Sequence, residues 1–123
     1  DLREIAGRNR QSLGELFALF FRHYAWDVDY RNLVVAPRTA CVLPKANKAE
    51  LDCWPQNPHL AIEDPFETHY DVAHVLKYPK HQLVRKEFMR ASKLIDDAAA
   101  QRVDPDLVLD YICEPLPVPD QIM

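Results

Sequence analysis

The 123-residue sequence predicts an α+β domain that is mostly helical and contains a small β-hairpin. Apolar residues recur at helical spacing in several segments, and two short β-branched runs flank a proline between residues 33 and 43. With 48% hydrophobic and 10% aromatic residues, the composition is typical of a folded domain rather than a disordered tail. The length allows one hydrophobic core but not two.

Helix signals occur at several places in the chain. Ser12 and Glu15 form a capping-box pattern before an apolar face that extends to Tyr24. Later helices are indicated by periodicity, by a capping Asp104 followed by proline, and by a short apolar segment before another proline. The periodic helix is expected over 81–98 and the helix capped by Asp104 over 104–112. The short apolar segment is expected to form a helix over 71–78, ended by Pro79.

The strand signal is a pair of short runs, 33–36 and 39–43, joined by Pro37 and Arg38. Their β-branched and apolar residues predict a hairpin, and Pro44 ends the second strand. Residues 60–62 predict a short buried strand further along the chain.

A polar loop is expected over residues 45–58, where three prolines bound or interrupt the chain. Trp54 is its one large apolar side chain, and it either anchors the loop by packing or stacks on a base or sugar. Lys45 and Lys48 are expected to be solvated.

The domain boundaries follow from these elements. Residues 1–11 are expected to be the end of a preceding element, residues 12–113 a single domain, and residues 114–123 an extended proline-rich tail. Because the chain starts at Asp1, we expect the true N-terminus to lie upstream.

Composition excludes several functions. The net charge of −4 and a pI near 5.7 argue against nucleic-acid binding by bulk charge. No apolar run is long enough to cross a bilayer, so no membrane association is expected. Three cysteines without CxxC spacing favour buried thiols in a reducing, intracellular compartment over a zinc site or disulfides. Two glycines cannot form a phosphate-binding loop.

The most informative stretch contains Glu63, Asp64 and Glu67 around Pro65 and Phe66. Acidic residues before a helix commonly cap it and complement its positive end. The alternative is a binding role, since carboxylates accept hydrogen bonds from the N–H donors of a ligand. The five histidines are scattered, and the spacing of His69 and His74 does not place them on one helix face.

An ordered series of motifs favours the binding role. Ser-Leu-Gly-Glu-Leu at 12–16, Phe-Phe-Arg-His-Tyr-Ala at 20–25, the hairpin, Ile-Glu-Asp-Pro-Phe-Glu at 62–67 and Arg-Lys-Glu-Phe-Met-Arg-Ala at 85–91 occur in sequence. The series resembles the poly(A)-polymerase-associated segment of the non-canonical poly(A) polymerases and terminal uridylyltransferases. The resemblance covers roughly residues 12–95.

The resemblance implies the C-terminal portion of the helical central domain of a nucleotidyltransferase. Such enzymes add A or U to RNA 3′ ends, using UTP or ATP with Mg²⁺ or Mn²⁺. A catalytic palm domain outside this chain would bind the metal, so we expect no catalytic and no metal-ligating residue here. The implied partners are that palm domain, an RNA 3′ end and other proteins of an RNA-processing assembly. The compartment, whether cytoplasm, nucleus or mitochondrion, is not implied.

The resemblance also implies which residues recognise the nucleotide base. Asp64 and Glu67 correspond to the family's base-side carboxylates, and His74 stands where some members have a basic residue. Tyr70 occupies the position of a histidine that favours uracil in uridylyltransferases, with His69 one place earlier. Either His69 substitutes through a local shift, or Tyr70 contacts the base edge, or selectivity is lost.

Two functions therefore remain. The first is the nucleotide-recognition part of an RNA terminal nucleotidyltransferase, in which this segment alone would not catalyse. The alternative is a catalytically inactive polymerase-like scaffold subunit of an RNA–protein assembly. A third hypothesis is an interaction module unrelated to polymerases.

Overall fold

The computed structural model describes residues 1–113, and the predicted proline-rich tail at 114–123 lies outside these residues. The mostly helical α+β prediction is confirmed. The helices and strands are α1 Leu2–Arg8, α2 Leu13–Arg22, β1 Leu33–Ala36, β2 Cys41–Pro44, α3 Lys45–Asp52, α4 Tyr78–Ala100 and α5 Val108–Ile112. A π-helical turn, His23–Asp27, continues α2, and two 3₁₀ turns, Pro37–Thr39 and Pro105–Leu107, precede β2 and α5.

The predicted hairpin is confirmed, with a later start for its second strand. β1 and β2 pair antiparallel, and Val35 lies opposite Val42. Pro37 opens a 3₁₀ turn instead of a two-residue loop, and Ala40 ends the turn in a left-handed conformation with φ of 54°. The second strand consequently begins at Cys41 rather than Thr39.

The α2 and α4 helices pack against each other through aromatic rings. Phe20, Phe21 and Tyr24 place their ring centroids 5.9, 6.1 and 5.6 Å from that of Phe88. Such edge-to-face and tilted pairs add stabilisation beyond the buried area. The apolar stripes predicted for both helices therefore meet at Phe88.

The Ser12 cap predicted for α2 is confirmed, because its Oγ accepts a hydrogen bond from the Glu15 amide at 3.1 Å. Replacing Ser12 with alanine is expected to lower the free energy of unfolding by about 1 kcal/mol. Chemical denaturation measures this change. Ser12→Asp is the control, since aspartate caps as well as serine does; an equal loss in both variants would contradict the capping role.

The polar loop predicted for 45–58 is wrong over its first half, which forms α3. Pro44 precedes the helix with extended backbone, where its missing N–H disrupts no helical bond. The expected solvation of Lys45 and Lys48 is also wrong, since both are buried.

The predicted helix at 71–78 is wrong, and Pro79 does not end a helix. Residues 72–75 form turns, and Pro79 lies in the first turn of α4. A proline there is favoured because the first amides of a helix have no intrahelical acceptor. Asp71 directs the turn instead: its Oδ1 accepts from the amides of Ile62 and Ala73 at 3.0 and 2.9 Å.

The predicted strand at 60–62 is present only as isolated bridges. Ile62 forms a parallel bridge with Val35 of the hairpin, and Glu63 forms an antiparallel bridge with Asp71. These bridges attach the residues just before the acidic stretch to the hairpin. A small core lies beneath them, formed by Val34, Leu43, Trp54 and Ala61.

Of the predictions for Asp104 and for the cysteines, the first is confirmed and the second is wrong for two residues. The cap at Asp104 is confirmed, because its side chain accepts from the Asp106 amide at 3.0 Å. The expectation that the cysteines are buried is wrong for Cys53 and Cys113, which are free and exposed. Within residues 1–113, no helix combines the length and apolar character that a membrane span requires.

Candidate functional site

The acidic stretch forms a closed loop, residues 64–70, which we call the acidic loop. Its ends are joined by a hydrogen bond from the Asp64 amide to the Tyr70 carbonyl at 3.0 Å. Inside it, the Tyr70 amide donates to the Glu67 carbonyl at 2.8 Å. The loop starts immediately after the Ile62 and Glu63 bridges, so the hairpin and the core fix its base.

Asp64 organises the loop from within. Its Oδ1 accepts from the amides of Phe66 and Glu67 at 2.8 and 3.0 Å. These two amides, that of Glu67 first, hold the pKa of the Asp64 carboxyl below its ordinary value. The prediction of a helix cap is therefore corrected: Asp64 caps a turn, because no helix follows. Its Oδ2 has no hydrogen-bond partner among the described residues.

The outer side of the loop faces solvent. Phe66 is 94% exposed, and the side chains of Glu67 and Tyr70 are exposed as well. Glu67 forms no side-chain hydrogen bond or ion pair within residues 1–113. Asp64 and Glu67 together therefore present carboxylate oxygens that a ligand's N–H groups can reach.

Of the three other predicted residues, His69 and Tyr70 belong to the loop and His74 lies next to it. The Tyr70 ring meets the His74 ring edge-on, with 5.2 Å between centroids. His74 Nδ1 lies 2.9 Å from the Asp71 carbonyl, which fixes the direction of that ring. His69 and His74 line one cavity of about 380 Å³, together with Trp54, Asn57, His59 and Lys77. The spacing of His69 and His74 would separate them on a helix, but this segment is not helical, so the two side chains can line the same cavity.

Beneath the loop lies an ionic network that the sequence analysis missed. Glu63 is fully buried, and its carboxylate contacts Arg38 Nε at 3.0 Å and Lys48 Nζ at 2.6 Å. Burial raises the pKa of Glu63, but the two cations outweigh it and hold that pKa below the ordinary glutamate value. One signal was available: residues two apart on a strand share a face, so the buried Ala61 places Glu63 inward as well.

Lys48 extends the network to the loop backbone. Its Nζ donates to the Thr68 carbonyl at 2.6 Å and to Asp52 Oδ2 at 3.1 Å. Burial lowers the pKa of the Lys48 ammonium, but the carboxylates of Glu63 and Asp52 reverse this and raise it. Lys48 is therefore a charged lysine inside the domain.

Trp54 anchors the segment, as the packing alternative predicts. Its indole is buried in the core, and Nε1 donates to the His69 carbonyl at 2.8 Å. Lys48 Nζ lies 5.0 Å from the ring centroid, within the range of a cation–π contact. One edge of the tryptophan also borders the histidine-lined cavity.

The described part of the chain contains no group of three or more histidine, cysteine, aspartate or glutamate side chains placed to hold a metal ion. Asp64 commits one oxygen to the loop amides, so it and Glu67 form a hydrogen-bonding edge rather than a metal cage. The acidic loop therefore fits an N–H-bearing ligand better than a divalent cation.

A family model and two curated proteins that match this chain all describe poly(A) polymerases. The family model of the Cid1 family poly A polymerase matches residues 12–70. Poly(A) RNA polymerase cid11 of Schizosaccharomyces pombe is 33% identical over 97 residues, covering 77% of this chain and 20% of that protein. Poly(A) RNA polymerase GLD2 of Danio rerio is 30% identical over 95 residues, covering 77% of this chain and 19% of that protein.

Solved structures give the same result. Cid1 in complex with the UTP analogue UMPNPP matches with a TM-score of 0.69 and 33% identity, over 89% of this chain and 32% of that one. A cytoplasmic RNA terminal U-transferase matches with a TM-score of 0.68 and 34% identity, over 91% of this chain and 33% of that one. The chain thus spans about a fifth of these curated relatives and a third of these solved chains.

Proposed function

Because the chain belongs to the Cid1 family of poly(A) polymerases, we propose that it is the nucleotide-recognition part of an RNA terminal nucleotidyltransferase. The whole protein would add A or U to RNA 3′ ends from ATP or UTP. The relative Cid1 binds a UTP analogue, which supports a nucleoside triphosphate as the ligand here. Mg²⁺ or Mn²⁺ would be bound by a palm domain outside this chain and would neutralise the phosphates.

The acidic loop carries this proposal, because its free carboxylate oxygens match the chemistry of a base edge. Uracil offers one ring N–H and adenine an exocyclic amino group, and both donate to a carboxylate directly or through a water. The Asp64 carboxylate keeps a fixed direction, since two amides hold Oδ1, and Oδ2 has no hydrogen-bond partner among the described residues. Glu67 supplies a second acceptor on the same loop.

Tyr70 is the proposed side contact to the base. It is exposed at the end of the loop, and the edge of the His74 ring limits its movement. A phenol hydroxyl both donates and accepts, so Tyr70 can pair with either base. His69 and His74 would border the bound nucleotide from the adjoining cavity.

The proposal is tested with Asp64→Asn and Glu67→Gln in the complete protein. Asparagine keeps the acceptor that caps the loop, so folding is retained while the charge is removed. Each change is expected to raise the KM of the preferred nucleoside triphosphate about tenfold, the loss of one charge-assisted hydrogen bond. Primer extension with each of the four triphosphates measures the KM and the nucleotide choice.

Glu50→Gln is the matched control, because Glu50 is an exposed carboxylate on α3, outside the acidic loop. It is expected to leave KM unchanged. Unchanged KM and nucleotide choice in both loop variants would contradict the base-recognition role. If the unmodified complete protein incorporates no nucleotide, the inactive scaffold becomes the better explanation.

A further inference from the structure

The acidic loop is attached to the domain at its base by the hairpin and, further along the loop, by α3. Several hydrogen bonds join residues of the loop to each other: those accepted by Asp64 Oδ1 and those donated by the Asp64 and Tyr70 amides. They fix the shape of the loop but not its orientation relative to α3. Lys48 and Trp54, on α3 and just after it, donate from outside to the carbonyls of Thr68 and His69 at 2.6 and 2.8 Å. These two bonds hold the far part of the loop against α3, while the hairpin and the core fix its base.

The surroundings of Lys48 hold its ammonium group next to the Thr68 carbonyl. Its side chain is almost fully buried, and its ammonium is surrounded by Glu63 Oε2 at 2.6 Å, Asp52 Oδ2 at 3.1 Å and the Thr68 carbonyl. The ammonium donates hydrogen bonds to Asp52 and to the Thr68 carbonyl, and it forms an ion pair with Glu63. The buried carboxylate of Glu63 is itself fixed by Arg38 from the hairpin.

We propose that Lys48 is a positioning residue for nucleotide selection, transmitting the rigid geometry of Glu63 and α3 to the acidic loop through the Thr68 carbonyl. This inference rests on the proposed function. It assigns to a buried lysine, which does not touch the nucleotide, the task of holding Asp64 and Glu67 in register with a base. Misplacing a binding group by about 1 Å costs substantial transition-state stabilisation even when the group itself is intact.

The chain contains a matched control for this role. Lys45 lies on the same helix and is buried to the same degree, at 5% exposure against 6% for Lys48. Its Nζ donates to the carbonyls of Tyr30, Asn57 and His59, none of which belongs to the acidic loop. The two lysines therefore differ in which segment they hold, while the loss of either destabilises the domain.

The experiment compares Lys48→Met with Lys45→Met in the complete protein, by primer extension with each nucleoside triphosphate. Lys48→Met is expected to raise the KM of the preferred triphosphate about tenfold and to reduce discrimination among the four. Lys45→Met is expected to lower the apparent kcat only, because a smaller folded fraction reduces active enzyme without changing KM. This separates positioning from stability.

A double variant, Lys48→Met with Glu63→Gln, removes the buried carboxylate charge that the single variant leaves with only Arg38 as its ion-pair partner. It is expected to recover stability in chemical denaturation, while KM stays raised because the Thr68 carbonyl still lacks its donor. If Lys48→Met does not yield folded protein, Lys48→Arg serves instead, since the planar guanidinium cannot reproduce the three-directional contacts of an ammonium.

The outcomes separate this inference from the proposed function. If Asp64→Asn and Glu67→Gln raise KM but the Lys48 variants change only kcat, as Lys45→Met does, Lys48 is structural and the inference is wrong. If the Asp64 and Glu67 variants also leave KM unchanged, the proposed function fails first. A KM restored to the original value in the double variant would likewise overturn the positioning role.

Discussion

Replacing Glu63 with alanine is expected to lower the free energy of unfolding by about 3–5 kcal/mol, the range for breaking one side of a buried ion pair. The change leaves the Lys48 ammonium buried without its closest counter-ion, at 6% exposure. Arg38 loses the same partner but is half-exposed, so water can solvate it. Most of the cost therefore falls on Lys48. Chemical denaturation of the protein at neutral pH measures the change.

The double variant Lys48→Met with Glu63→Leu is the control, since it removes both buried charges. Arg38 and Asp52 each lose a partner, but both side chains reach water. This variant is expected to recover much of the loss, because apolar replacement of a whole buried ion pair is often neutral. A double variant as unstable as Glu63→Ala would show that packing, rather than charge, accounts for the effect.

The pH dependence of the free energy of unfolding tests the same prediction independently. The pKa of Glu63 is lower in the folded protein than in the unfolded chain, where a glutamate titrates near 4.3. Its contribution is therefore fully present above the unfolded pKa and is lost as the pH falls through the folded pKa. The stability difference between the original protein and Glu63→Ala is expected to shrink below about pH 4. A constant difference from pH 7 to pH 3 would contradict the ion-pair account.

Local patterns predicted those parts of the fold that local interactions determine. The Ser12 and Asp104 caps each depend on an acceptor two or three residues from its donor, so sequence spacing suffices. The hairpin was equally accessible, because its strands are adjacent in the chain and differ in composition from their surroundings. These predictions needed no knowledge of distant contacts.

The mistaken elements depend on distant contacts. α3 has a weakly amphipathic, polar sequence, and its two lysines suggest a solvent-exposed face. They are buried because carbonyls and carboxylates from residues 30, 52, 57, 59, 63 and 68 surround their ammonium groups. No local rule predicts such partners. The 71–78 segment fails for the same reason, since Asp71 caps an amide nine residues earlier.

The candidate site shows the same division. The acidic loop was located from its composition and from resemblance, and the structure places Tyr70 and His74 together and His69 beside the same cavity. The ionic network beneath the loop was missed, because Arg38 and Lys48, the partners of Glu63, lie far from it in the chain. The strand alternation with Ala61 separates it from Asp64: one carboxylate points into the core and the next stays on the loop.

The Lys45→Met substitution is expected to lower the free energy of unfolding by about 3 kcal/mol, because it removes one donor group from several buried acceptors. Lys45 Nζ joins three carbonyls, those of Tyr30, Asn57 and His59. Burial lowers the pKa of this lysine, so its charge is already held at a cost that the carbonyls offset. Methionine keeps the apolar stem but leaves the carbonyls without their donor, and chemical denaturation measures the loss.

Lys80→Met is the matched control, because Lys80 is exposed in the first turn of α4 and its loss is expected to change stability by less than about 0.5 kcal/mol. Equal effects of the two substitutions would contradict the role assigned to Lys45. The larger loss at Lys45 would have a structural meaning: this one ammonium ties the start of α3 to the turn at Tyr30 and to the segment before Ala61. Lys45 would then stabilise the domain through contacts that lie outside the acidic loop, and this is the property that its use as the control for Lys48 requires.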